Sequence, residues 1–220
     1  YVPNNMIFLV VGDVDGAAAM DKAKKAFAGF ERKALPPVFL PVEPEQKGMR
    51  RETRTYPVKG ASSGARLKLG WHGVDCGDAM APALDMLALV MGYGESSRLT
   101  RRLKNEKRLV QSISAGCDTP TYRGSFAILA TLDPANLEAV EKEVLAIVEE
   151  YKLTLVGAEE LERVRAAVNS YNRTSRQGVD NQADVLGQNE MYYGNAEYDE
   201  VYLARMNAVT PEDMQFMARK

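Results

Sequence analysis

The sequence predicts an α+β domain, with a mainly antiparallel sheet and helices packed on one face. Three observations lead there. Short β-branched apolar runs come in pairs separated by turn residues. Between them lie segments with apolar residues at three- and four-residue spacing. From Asp133 onward the pattern is helical almost without a break.

Met6-Ile-Phe-Leu-Val-Val11 is a continuous apolar run bounded by Gly12-Asp13 and reads as a buried strand. Asp15 is placed to cap the next helix, whose apolar face is Met20, Ala23, Phe27 and Phe30. The strand–Gly–helix passage lacks the Gly-x-x-x-x-Gly-Lys of a phosphate loop. Ala34 to Glu45 holds Pro36, Pro37, Pro41 and Pro44, so it reads as an extended connector. Pro41 to Pro44 also fits P-x-x-P, a weak pattern that a connector explains as well. Arg50 to Val58 and Ala65 to Gly73 are strand candidates, joined by a hairpin loop at Gly60 to Gly64. In the second, Leu67, Leu69 and Trp71 alternate with Lys68 and Gly70.

A helix starts at Asp78 and carries Met80, Leu84, Leu87, Val90 and Met91 on its apolar face. Gly92 and Gly94 flank Tyr93 and end it, since glycine takes positive φ at little cost. Glu95, Ser96 and Ser97 can cap a following helix from about Ser97 to Lys107, with Leu99 and Leu103 inward. Its cations Arg98, Arg101, Arg102 and Lys104 read as a solvated face. Gln111 to Cys117 and Gly124 to Thr131 form a hairpin across Asp118 to Arg123. Asp133-Pro134 caps a helix with Leu137, Val140, Val144, Ile147, Val148 and Tyr151 as its stripe. Leu161, Val164, Val168 and Tyr171 mark the next. Shorter helices follow over Gln182 to Tyr193 and Tyr198 to Met206, and Thr210-Pro-Glu-Asp213 is a capping box for a last one.

Composition narrows the function. The chain is 45% hydrophobic and 26% charged with a net charge of −2, a globular balance without the basic footprint of a nucleic-acid binder. No run approaches the ~18 apolar residues of a membrane span. Cys76 and Cys117 are too few for a disulfide framework; they read as free thiols, or as one pair in an oxidising compartment. His72 is the only histidine, whereas a catalytic zinc site needs roughly three protein ligands. Glu149-Glu150, Glu159-Glu160 and Glu138 with Glu141 lie on amphipathic helices and read as solvated faces rather than acid–base pairs. The sequence opens on Tyr1 without Met and stops within a helical pattern at Lys220, as a piece of a longer protein would.

Three motifs carry a family resemblance. Gly92-Tyr-Gly-Glu-Ser-Ser-Arg-Leu99 is similar to the Gly-x-Gly-x-Ser-Ser-Arg-Leu of pitrilysin-type (M16) zinc peptidases, the family of insulinase and the mitochondrial processing peptidase. Tyr1-Val-Pro-Asn-Asn-Met6 with Gly12-Asp-Val14 resembles the opening of that family's second, inactive domain, and Ala208 to Met214 resembles its tail. The resemblance covers essentially the whole chain. It implies the LuxS/MPP-like metallohydrolase fold, with a sheet of about six strands, and one M16 C-terminal-type domain over residues 1–220.

The resemblance places zinc, bound by His-x-x-Glu-His, in an upstream catalytic domain, and implies no metal ligand and no catalytic residue in this chain. It implies as partners that upstream domain, a second M16 half or subunit, and an extended peptide. Family members turn an Arg and a Tyr toward substrate from Leu-Arg-Glu-x-x-Gly-Leu-x-Tyr-Ser. The matching positions here are Lys104 and Gln111, which keep a charge and a donor but lose the fork and the phenol. The turn Gly92, Gly94 and Arg98 compares with a glycine-rich loop that engages presequences in one processing-peptidase subunit, but it is short, and glycines at a helix end read first as structural caps. Expected function is therefore the non-catalytic domain of a peptide-cleaving chamber. A structural core-protein-like subunit and a stand-alone peptide-binding module are the alternatives. Periplasm and cytoplasm of a bacterium are both open.

Overall fold

The computed structural model describes residues 2–41, 43–57 and 64–220. The chain divides into two compact units: Tyr1–Gln46 with Tyr171–Glu200, and Lys47–Ser170 with Val201–Lys220.

The second unit is built on a three-stranded antiparallel sheet of β1 (Ala65–His72), β2 (Val110–Asp118) and β3 (Ser125–Leu132), in the order β1-β3-β2. Alternation along the strands sorts their side chains. Rows Leu67–Ala130–Ile113, Leu69–Ile128–Ala115 and Trp71–Phe126–Cys117 share one face. Ile128 and Leu132 are fully buried there, and the Trp71 and Phe126 rings stand 5.9 Å apart. The opposite face exposes Leu129.

Helix α2 (Ala81–Gly92) lies on β2 and β3, α3 (Leu137–Leu153) reaches β1, and α7 (Pro211–Arg219) packs on both helices. α2 is apolar nearly all round, so it sits centrally, with Leu84, Leu87, Val90 and Met91 buried. Val140, Val144, Ile147 and Tyr151 of α3 and Met214 of α7 close the same core. Each fully buried aliphatic chain contributes about 1.5–3 kcal/mol. The stripe predicted for α3 is buried at Val140, Val144, Ile147 and Tyr151 and half-buried at Leu137 and Val148, while α2 buries more than its predicted stripe, Ala83, Met86 and Ala88 included. α4 (Ala158–Ser175) buries Leu161 and Val164, but Tyr171 at its end is exposed. The predicted capping box at Thr210 and Asp213 is formed.

The first unit holds α1 (Gly16–Phe27) and α5 (Val179–Tyr193), and α6 (Tyr198–Ala208) begins in it. Asp15 caps α1 by accepting from the N–H groups of Ala17 and Ala18, as its position predicted. The expected inward face of α1 is not buried: Met20, Phe27 and Phe30 are exposed.

Six strands are not found; the described residues form three. Met6–Val11 pairs with no strand among the described residues, and Met6 to Val10 are 39–61% exposed. Its backbone is extended where it begins, with Met6 at φ −137° and ψ 143°. Its side-chain partner is helical instead: Phe8 meets Phe27 at 5.7 Å, and Phe27 meets Phe30 at 5.6 Å. Apolar β-branched content describes a fit to a pleated, half-buried surface, and does not by itself supply the neighbouring strand. Residues 50–57 likewise join no ladder. Arg51 ties them to Glu141 on α3, Arg54 pairs with Glu52 inside the segment, and Pro57 has no N–H to give. Val58 and most of the expected Gly60–Gly64 loop lie outside the described residues.

Candidate functional site

The Gly92–Gln111 passage joins the central helix to the sheet, and each of its special residues answers a local demand. α2 ends with the Tyr93 N–H donating to the Leu89 carbonyl. Only one of the two flanking glycines serves a positive φ, Gly94 at +82°. Gly92 is required by contact: a Cβ there would stand 2.3 Å from the Ala115 backbone nitrogen on β2. Ser97 is fully buried; its hydroxyl donates to the Gly94 carbonyl at 2.8 Å and lies 3.0 Å from the Thr100 hydroxyl.

The helix expected over Ser97 to Lys107 is wound wider than an α-helix. Thr100–Glu106 is a π-helix, with the Lys107 N–H donating to the Arg102 carbonyl and the Leu109 N–H to that of Leu103. The exit requires Arg108 at φ +51°, the only non-glycine residue with positive φ among the described residues. Leu99 and Leu103 are fully buried as predicted.

The cations of this segment are not all a solvated face. Arg98 gives two hydrogen bonds to Glu160 at 2.9 and 2.7 Å and lies 4.5 Å from the Tyr151 ring centre. The bond from Arg98 holds the Glu160 carboxyl below the usual carboxylate range, and burial pushes the Tyr151 phenol up. Arg102 bridges Glu150 at 2.6 and 3.1 Å, and Lys107 reaches Glu143 at 2.5 Å. One carboxylate of each predicted Glu pair, Glu150, Glu160 and Glu141, is thus tied to another element.

Of the expected peptide contacts, Lys104 is half-exposed and paired with Glu95 at 2.9 Å. Gln111 is the extra residue of a β-bulge: Val110 faces Leu132 and Ser112 faces Thr131, so Gln111 has no opposite number. Its side chain is exposed. Gly92, Gly94 and Arg98 hold the turn together, while Lys104 and Gln111 are among the polar side chains that reach solvent.

One polar cluster escaped the sequence reading. Asp85 on α2 accepts from the Cys117 thiol on β2 at 2.6 Å and from the Tyr202 hydroxyl on α6. Burial pushes the Asp85 carboxyl up and, with the neighbouring Asp85 charge, pushes the Cys117 thiol up as well. The signal was present: Asp85 is the one charge inside an otherwise apolar helix, and a buried carboxylate demands donors.

Among the described residues no three His, Cys, Asp or Glu side chains converge to hold a metal ion, and His72 is exposed at the end of β1. Zinc does not fit this set. No described helix is long and apolar enough to cross a membrane.

Comparison with known proteins decides the family. The Peptidase M16 inactive domain matches residues 1–168. The chain belongs to this family. A relative named zinc protease PqqE from Helicobacter pylori is 30% identical over 172 residues, covering 75% of this chain and 37% of its own length. A solved protease from Helicobacter pylori superposes with a TM-score of 0.80 at 22% identity over 95% of this chain and 50% of its own. The M16 inactive domain from Pseudomonas fluorescens gives 0.64 at 21% identity over 70% and 37%. The chain therefore spans about half, or less, of the length of these relatives.

Proposed function

We propose that this M16 inactive domain forms a non-catalytic wall of a peptide-binding chamber in a longer zinc peptidase. The Helicobacter pylori relative is named a zinc protease and is long enough to hold a second domain of this size. That domain would carry the zinc. A second M16 half or subunit would close the chamber over an extended peptide. Such a peptide gains main-chain hydrogen bonds when it adds to a sheet edge.

The observation that carries the reading is the bulge at Gln111. It frees one polar side chain from an edge strand, close in sequence to the outward Lys104. Both offer donors to a peptide: the Gln111 amide to a carbonyl, the Lys104 ammonium to a carboxylate. Glu95 holds Lys104 in place and must yield it for contact. That pairing also favours a second reading, a structural subunit that keeps the fold without the chemistry.

Elemental analysis of the full-length protein separates the two, with residues 1–220 as control. About one zinc per full-length chain, none in the piece, and cleavage of unfolded casein support the peptidase. No zinc in either, with no cleavage in the presence of any second subunit, supports the structural subunit. Zinc in the piece overturns both.

A further inference from the structure

The face of the sheet away from α2 and α3 has a composition of its own. Strand register sets its rows as Arg66–Thr131–Ser112, Lys68–Leu129–Ser114, Gly70–Ala127–Gly116 and His72–Ser125–Asp118. Neighbours in a row stand about 4.5–5.5 Å apart at Cβ. Leu129 is 47% exposed at the centre, beside a low trough where Gly70, Ala127 and Gly116 raise nothing above the backbone larger than a methyl group. Arg66 and Lys68 are exposed on one border and have no ion-pair partner among the described residues. The helical cations Arg98, Arg102 and Lys107 each hold a carboxylate.

We infer that this open face seats an extended peptide segment carrying acidic side chains, with Leu129 as its apolar floor and Arg66 and Lys68 as its charge partners. The inference rests on the peptide-chamber reading, names the class of peptide, and adds a second stretch of contact on the sheet face, apart from the Gln111 edge. Charge complementarity selects the occupant: the first two rows hold two cations, hydroxyls and one leucine, and no acid. An extended chain presents alternate side chains at about the 6.6 Å two-residue repeat of a strand, so one acid faces Arg66 and the next faces Lys68.

The test is fluorescence anisotropy on the full-length protein with labelled poly(Glu-Ala) and poly(Lys-Ala) peptides. The expected result is a preference of about three- to tenfold for the glutamate peptide, the scale of two exposed ion pairs. It should fade as salt rises. R66E/K68E should reverse the preference, and Arg66→Gln with Lys68→Gln should abolish it; circular dichroism checks that the variants fold. Peptide binding indifferent to both variant pairs overturns the acidic-peptide inference and leaves the chamber reading standing. No binding of either peptide overturns the inference, and the chamber reading falls with it only if casein is also left uncleaved. Concentration-dependent self-association that Leu129→Glu removes, without peptide preference, overturns it in favour of a second copy.

Discussion

Arg98 and Glu160 stand 62 residues apart in sequence and meet through two hydrogen bonds of 2.9 and 2.7 Å. The pair is only partly exposed, at 17% and 25% of the two side chains, and the guanidinium also faces the Tyr151 ring. It fastens the turn after α2 to the first turn of α4. Arg98→Lys keeps the charge and loses the fork. Chemical unfolding should show a loss of about 1 kcal/mol, and a double-mutant cycle with Glu160→Gln should return a coupling of the same order after allowance for solvent screening. Additive single effects would remove the fork from the account.

Asp85 and Glu160 should tilt the pH dependence of stability in opposite directions. Glu160 has a depressed folded pKa, so its contribution is complete above the ordinary glutamate value near about 4.3 and is lost as pH falls through the lower folded value. Asp85 has a raised folded pKa. Its contribution is complete below about 3.9 and is lost as pH rises through the higher folded value. Asp85→Asn removes the second effect. Urea unfolding from acid to neutral pH should show the variant gaining on the wild type as pH rises; parallel profiles would refute the assignment.

How far the sequence reached depended on whether a signal was local. Asp15, Asp133 and Thr210 act within three residues of themselves, and all three caps are formed. The stripes of α2 and α3 were legible because helical spacing alone decides which side chains share a face. Met6–Val11 was not legible in this way. Its apolar run is equally compatible with a ladder and with the Phe8–Phe27 contact it makes. Arg98 and Arg102 looked solvated because their carboxylate partners lie 62 and 48 residues on, beyond any helical spacing. In the candidate site, the positions of Lys104 and Gln111 came from a motif. The bulge that frees Gln111 came from the pairing of β2 with β3, which no motif states.

Arg108 offers a stabilising change. It sits at φ +51°, where a side chain costs about 1–2 kcal/mol and glycine costs nothing steric. The family motif Leu-Arg-Glu-x-x-Gly-Leu places glycine at this position. Arg108→Gly also enlarges the freedom of the unfolded chain, which offsets about 0.5–1 kcal/mol. The net expectation is a rise in unfolding free energy of about 0.5–1 kcal/mol, read from the urea midpoint. A lower midpoint would mean that the φ is not maintained in solution.

The Cys117 thiol should be slow to alkylate although it is only partly buried. Burial is the first cause of its raised pKa, and the Asp85 charge and hydrogen bond add to it. The thiolate is the reactive form, and an ordinary thiol near pKa 8.5 is roughly a quarter ionised at pH 8. In the native chain at that pH, Cys117 should react with a maleimide more than about tenfold slower than in urea. Burial alone would give that result, so Asp85→Asn supplies the discriminating arm. It takes away a negative charge and turns an acceptor into a mixed group, leaving the thiol's surroundings otherwise in place. Mass spectrometry of the Cys117 peptide should then show faster labelling in the folded variant, with buried Cys76 unchanged as the internal reference. Equal rates in both proteins would mean that Asp85 does not govern the thiol.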